Sequence, residues 1–383
     1  MQETSGDTRT KVFYFIPNLQ QGGTERQILE LIRNLPDRFE PILCLYHDTI
    51  FYRDELPADQ PRYILGKKRM DLAGLEQLTR ILRKEKPDIV HSFRDKSNFW
   101  ARIAALRAGV PVIISSCRNR MLEIRHLLVE RILSDRCQQV LVNSEGVRQE
   151  LIHLARVRPE RIKIIYNILD PEFFRPPSEG ERSEARSHWR LSDKQPALLL
   201  PGRIGLQKNQ FAALMAFHAV ISRRSVPANT MLLLPGRKRD LTTAGAIKLL
   251  TRLPAIRDRV RFLGPQKNIL SLYWAADALV MPSLWEGLSN AALEACSCGL
   301  PAVLSRAANV DRIVEPGVTG FEVPTWSIRP LIRALEQVLS LSHEERREMG
   351  RRGRERVMAM VAPTPNYMVE ETVKIYDEWL SRT

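Results

Sequence analysis

Two glutamates stand eight positions apart in the stretch SLWEGLSNAALEACSCGLPAV, residues 283–303: Glu286 and Glu294. A carboxylate accepts hydrogen bonds and has none to donate, so an acid pair at such spacing suits a ligand rich in hydroxyls. Pro282 closes an apolar run before the first acid, and Ser289 or Asn290 is placed to cap a helix that carries the second. Between the acids lie the backbone N–H groups of Gly287, Leu288, Ser289 and Asn290, which at a helix start favour negative charge. A ligand with hydroxyls at both ends and an anionic middle fits this pattern, and a nucleotide diphospho-sugar is one.

Two other loops carry matching chemistry. Gly202-Arg203-Ile-Gly205-Leu-Gln-Lys208-Asn209 places two cations around glycine turns just before an apolar helix, where Arg203 and Lys208 could hold a diphosphate from two sides. Near the start, Gly22-Gly23-Thr24-Glu25-Arg26-Gln27 follows another apolar run. The two glycines admit a close neighbour to the backbone, and Thr24 with Gln27 reads as a capping box opening a helix.

All three loops follow short apolar runs rich in Val, Ile and Leu, at 12–16, 42–46, 89–93, 112–115, 140–143, 162–166, 198–201, 231–234, 260–263, 278–281, 302–304 and 320–323. Runs without polar alternation suit parallel strands covered on both faces, and their alternation with helix-length segments implies doubly wound α/β domains. A length of 383 residues favours two domains. The stretch 170–184, rich in Pro and charge, reads as the linker between them. Apolar residues at helical spacing over 366–380 predict a final helix.

Composition narrows the class. The net charge of +14 is spread over both halves rather than gathered in an arm, and no stacking or groove-helix motif accompanies it, which argues against a nucleic-acid partner. Five irregularly spaced cysteines suggest buried thiols in a reducing compartment rather than a metal site or a disulfide framework. There is no run of about 18 apolar residues, the length a membrane span requires.

With these loops read, the chain resembles family 4 of the retaining glycosyltransferases, which have the GT-B fold. Glu286 through Glu294 with Gly299-Leu-Pro301 resembles the family's E-x7-E motif, Gly202-Arg203 with Lys208-Asn209 its diphosphate loop, and Gly22-Gly23-Thr24-Glu25 its N-terminal glycine loop. Weaker landmarks are Pro87 to Ser92, Val142 to Glu145, Ile165 to Asp170 and Val314 to Gly320.

The resemblance implies two doubly wound Rossmann-like domains facing across a cleft: residues 1–175 on the acceptor side, residues 185–363 on the nucleotide-sugar side, and 364–383 crossing back to the first domain. It implies a retaining sugar transfer from a nucleotide diphospho-sugar, a UDP-sugar being favoured, to a glycan or lipid-linked acceptor in the synthesis of cell-surface polysaccharide or glycoconjugate. Arg203 and Lys208 would neutralise the leaving diphosphate, Glu286 would bind the donor sugar and Glu294 the ribose. Gly22 and Gly23 would admit the diphosphate and sugar. No Asp-x-Asp pair occurs, so the reaction is expected to need neither metal nor cofactor.

The sequence also departs from the family. Where members often carry an active-site histidine, this chain has Ser116-Cys117-Arg118-Asn119-Arg120, which leaves His91, Arg118 and Asn119 as acceptor-side candidates. Asn167-Ile-Leu-Asp170 lacks a usual glycine, and the loop Pro235-Gly236-Arg237-Lys-Arg lacks a common acidic residue. The expected location is the cytoplasm, with peripheral attachment to the cytoplasmic membrane face through Lys67-Lys68-Arg69, the basic loop 118–125, and Phe99 with Trp100. The alternatives are a nucleotide-sugar epimerase of the same fold, and a basic nucleic-acid-binding protein.

Overall fold

The computed structural model describes residues 9–20, 22–51, 53, 56–57, 60–120, 124–237, 241–361, 364 and 366–383. Its contacts divide the chain into two compact units. The first comprises Met1–Ile168 together with Asn366–Thr383, and the second Leu169–Pro365.

The first unit is built on a seven-stranded sheet: β1 (Thr10–Ile16), β2 (Phe39–Leu45), β3 (Arg62–Ile64), β4 (Ile89–Phe93), β5 (Val112–Cys117), β6 (Gln139–Val142) and β7 (Ile162–Ile164). The strands are in the order β3-β2-β1-β4-β5-β6-β7, and every neighbouring pair is parallel. Alternate residues of β1 feed opposite faces, as the period of two requires. Val12, Tyr14 and Ile16 pack with the helix Gly23–Arg33 and with Met368, Val369 and Tyr376 of the final helix Tyr367–Leu380. Phe13 and Phe15 pack on the other face with the helices Leu72–Glu85 and Asp95–Ala108. Burial on both faces is why these strands read as unbroken apolar runs.

The second unit has six parallel strands, β8 (Ala197–Leu199), β9 (Met231–Pro235), β10 (Val260–Gly264), β11 (Ala278–Met281), β12 (Ala302–Ser305) and β13 (Gly320–Val323), in the order β10-β9-β8-β11-β12-β13. Leu198, Leu232, Val280 and Val303 share one core with Phe217 of the helix Gln210–Ser222 and Leu335 of the helix Ile328–Ser340.

All twelve apolar runs are strands, most shifted by a residue or two at their ends. No apolar run marks β3, a three-residue edge strand with partly exposed side chains. Two local readings are corrected. The stretch 170–184 is not all linker: Ser178 and Glu181 form a capping box and begin the helix Glu179–His188. That helix buries only Ala185 and Arg186, so its apolar period is too faint to read. In turn, Thr24 and Gln27 make no capping box. The helix starts at Gly23 with Gly22 as its uncapped N-cap, and the Gln27 amide instead bonds Ile168, donating to its carbonyl at 3.0 Å and accepting from its N–H at 2.6 Å.

Candidate functional site

In each sheet the strand order reverses once, between β1 and β4 in the first unit and between β8 and β11 in the second. Ligands of open α/β sheets bind beyond the carboxyl ends of the strands at such a switch point. In the second unit the loops leaving β8 and β11 are the two that carry Arg203, Lys208 and Glu286.

The structure joins these residues. Lys208 Nζ donates to Glu286 Oε1 at 2.7 Å, and both side chains are largely buried. Gly202 makes this possible, because it has a φ of +132° and a Cβ there would lie 2.8 Å from Lys208 Cε. The backbones are laced as tightly. A Cβ on Gly236 would overlap the carbonyl oxygen of Gly202, Leu284 N–H donates to the Gln207 carbonyl at 2.8 Å, and the Gln207 amide donates to the Trp285 carbonyl at 3.2 Å. Arg203 reaches Gln207 Oε1 at 3.4 Å, while the Gln210 amide donates to the Arg203 carbonyl at 3.0 Å. Asn209, in the left-handed region at φ +50°, caps the helix Gln210–Ser222 through Ala212 N–H.

Beyond Glu286, the residues Gly287, Leu288 and Ser289 are buried. Ser289 caps the helix Asn290–Ser297 by accepting from Ala292 N–H at 3.4 Å. Glu294, one turn into that helix, accepts from Tyr273 Oη at 2.8 Å. The arrangement offers a cation held by an acid, a glycine-lined backbone and a capped helix start at one sheet edge. An anion arriving there can draw Lys208 away from Glu286 and free that carboxylate for hydroxyls. Gln207, Gln210 and Tyr273 escaped the sequence reading; Gln207 sits within the loop already singled out and Gln210 opens the helix just after it, whereas Tyr273 comes from a separate helix with no local signal.

In the first unit His91 is buried, with both ring nitrogens engaged: Nδ1 to Tyr376 Oη at 2.6 Å and Nε2 to Ser116 Oγ at 2.8 Å. Its ring stacks on Phe93 at 4.3 Å. Burial, then the nearby Arg118 charge, holds its pKa well below the usual histidine value. Arg118 donates to Asn167 Oδ1 at 2.7 Å and lies over the Phe93 ring, and burial lowers its pKa to about 10. Asn119 is exposed. At the β1–β4 switch point, Glu25 in the first turn after Gly22 and Gly23 is ion-paired with Arg94, which follows β4.

Of the residues suggested for membrane contact, Lys68 and Arg69 are exposed, Lys67 pairs with Asp71 at 3.2 Å, and Trp100 packs on the core. Residues 121–123 of the basic loop and 238–239 beyond Arg237 lie outside the described residues. Among the described residues no helix is long and apolar enough to cross a membrane, no cluster of three or more His, Cys, Asp or Glu could hold a metal ion, and all five cysteines are buried and free.

Residues 21–173 match the family model described as glycosyltransferase family 4, and residues 181–356 match that described as glycosyl transferases group 1. A UDP-Gal:alpha-D-GlcNAc-diphosphoundecaprenol alpha-1,3-galactosyltransferase of Escherichia coli is 28% identical over 278 residues, covering 70% of each chain. A D-inositol 3-phosphate glycosyltransferase of Mycolicibacterium vanbaalenii is 28% identical over 252 residues, covering 61% of this chain and 55% of that relative. Anabaena HepE, solved with UDP and glucose, superposes with a TM-score of 0.85 at 17% identity, covering 97% of this chain and all of that one. WaaG, a glycosyltransferase involved in lipopolysaccharide biosynthesis, gives a TM-score of 0.71 at 15% identity, covering 96% of this chain and 99% of that one. The chain belongs to the GT-B glycosyltransferases, with a family 4 domain over residues 21–173 and a group 1 domain over residues 181–356.

Proposed function

We propose that the protein transfers a sugar, with retention of anomeric configuration, from a UDP-sugar to a hydroxyl of a glycan or lipid-linked acceptor. The observation that carries this reading is the Lys208–Glu286 pair at the switch point of the second sheet, beside Arg203 and a glycine-lined backbone. The Escherichia coli relative uses UDP-Gal and a diphosphoundecaprenol-linked acceptor by its name, and HepE was solved with UDP, which supports a uridine nucleotide and a lipid-linked acceptor.

As the sugar–phosphate bond breaks, negative charge gathers on the departing diphosphate while the sugar becomes oxocarbenium-like. Arg203 and Lys208, with the N–H groups from Gly287 to Asn290, meet that charge with donors fixed in advance. Glu286, released by Lys208, takes hydroxyls of the donor sugar, and Glu294 takes those of the ribose. The acceptor hydroxyl attacks from the face the diphosphate leaves and gives its proton to a diphosphate oxygen. The chain's own groups carry the positive charge without a metal, and the reaction serves surface-glycan synthesis at the cytoplasmic face of the membrane, where Lys68 and Arg69 meet anionic lipid.

Two measurements test this. In a thermal-shift panel of UDP, GDP and ADP, UDP should raise Tm most; ligand at 100 times its Kd adds about 2.7 kcal/mol. Arg203→Ala should then lower turnover about a hundredfold or more, the worth of one preorganised donor, with little change in Tm. Lys208→Ala should match the loss of turnover but also cost stability, because it strands the buried Glu286 carboxylate. Normal turnover in both variants would exclude the diphosphate role, and a trapped glycosyl-enzyme would exclude same-face attack.

A further inference from the structure

The two switch points share a construction. In the second unit an ion pair, Lys208–Glu286, bridges the loops after β8 and β11; in the first, Glu25–Arg94 bridges the loops after β1 and β4. The Glu25–Arg94 pair carries the marks of a ligand-facing site. Glu25 is 1% exposed, yet only one of its carboxylate oxygens meets Arg94; Oε2 has no partner among the described residues. That oxygen lies over Gly22, filling the place a side chain there would take. Arg94 stands at φ +79°, ψ 144°, a backbone region that residues other than glycine enter at a cost and keep mainly where function holds them. Its Nε is likewise without a partner among the described residues, while the side chain as a whole is 33% exposed.

An acid with a free lone pair beside a guanidinium with a free N–H is neutral overall. It does not attract a diphosphate, which suits the second unit's cations. It matches adjacent sugar hydroxyls, one donating and one accepting. We propose that Glu25 and Arg94 grip the acceptor sugar at the switch point of the first sheet, Glu25 Oε2 accepting from one hydroxyl and Arg94 donating to its neighbour. The assignment rests on the transferase reading above and adds residues for its second substrate.

The test uses the full chain saturated with UDP and saturation-transfer NMR with octyl α-glycosides of galactose, glucose, mannose and N-acetylglucosamine. At least one glycoside should bind the wild type. Its affinity should fall about tenfold or more in Glu25→Gln and in Arg94→Gly, the scale of a lost bond to a charged group, while UDP affinity stays. The double variant Glu25→Gln/Arg94→Gly leaves no buried charge unpaired and places glycine where the backbone favours it. Its Tm should stay near that of the wild type, so that the lost glycoside affinity is not a loss of fold. Absence of glycoside binding to the wild type, unchanged affinity in both single variants, or a double variant that melts well below wild type would overturn the proposal. Failure of UDP alone to bind would instead count against the donor reading.

Discussion

Lys208 and Glu286 each hold a charge that burial would otherwise penalise, so neither is free to change alone. Glu286→Gln keeps the shape and one acceptor oxygen but gives up the charge, and it should impair donor turnover more than it lowers Tm, as read from UDP release beside a melting scan. His91 makes a different kind of demand. Desolvation keeps it neutral in the fold, whereas the unfolded chain takes up a proton below about pH 6.5. Lowering the pH through that value therefore feeds protons to the unfolded state and withdraws stability, by up to about 1.4 kcal/mol per pH unit. Denaturant midpoints between pH 7.5 and 5 should fall, and His91→Gln should flatten the fall. At this scale the side chains that the structure brings together in the second unit were legible, because Arg203, Lys208 and Glu286 are charges set beside glycines in loops after apolar runs. Arg94 and Tyr273 were not visible, since their meaning lies in a backbone angle and in a helix brought alongside by folding.

Strands were the most legible elements, because burial on both faces leaves their sequences apolar throughout. Edges and connectors were the least. β3 has partly exposed side chains, and the helix Glu179–His188 buries too little to show a period. The helix His343–Val361 shows a related limit: charged over most of its surface, it buries Gly350 and Gly353 beside only Met349, Val357 and Val361, and glycines leave no apolar signature. A Cβ on Gly350 would overlap the carbonyl oxygen of Gly299, in the turn after the helix that carries Glu294. Gly350→Ala should therefore cost about 1–3 kcal/mol as an overpacked contact, seen as a lower denaturant midpoint, and should disturb the Glu294 helix more than the Lys208 loop.

The first unit is made of two stretches of chain, with the second unit between them in sequence. Its closing helix contributes Met368, Val369, Ile375 and Tyr376 to the core around Tyr14, and Tyr376 also bonds Tyr14 and His91. Burying each such side chain is worth about 2 kcal/mol, and together they rival the whole stability of a typical domain. A chain ending at residue 365 should lose hydrogen-exchange protection across β1 to β7 while β8 to β13 keep theirs. The same arrangement fixes an order of events on the ribosome. Domains generally fold in the order they emerge, N-terminal first, but here the core around Tyr14 is incomplete until residues 367–380 arrive, after the whole of the second unit. A polypeptide cut before residue 366 would display Tyr14 and its neighbours to chaperones and proteases, so the helix made after the second unit is the clasp that seals the first.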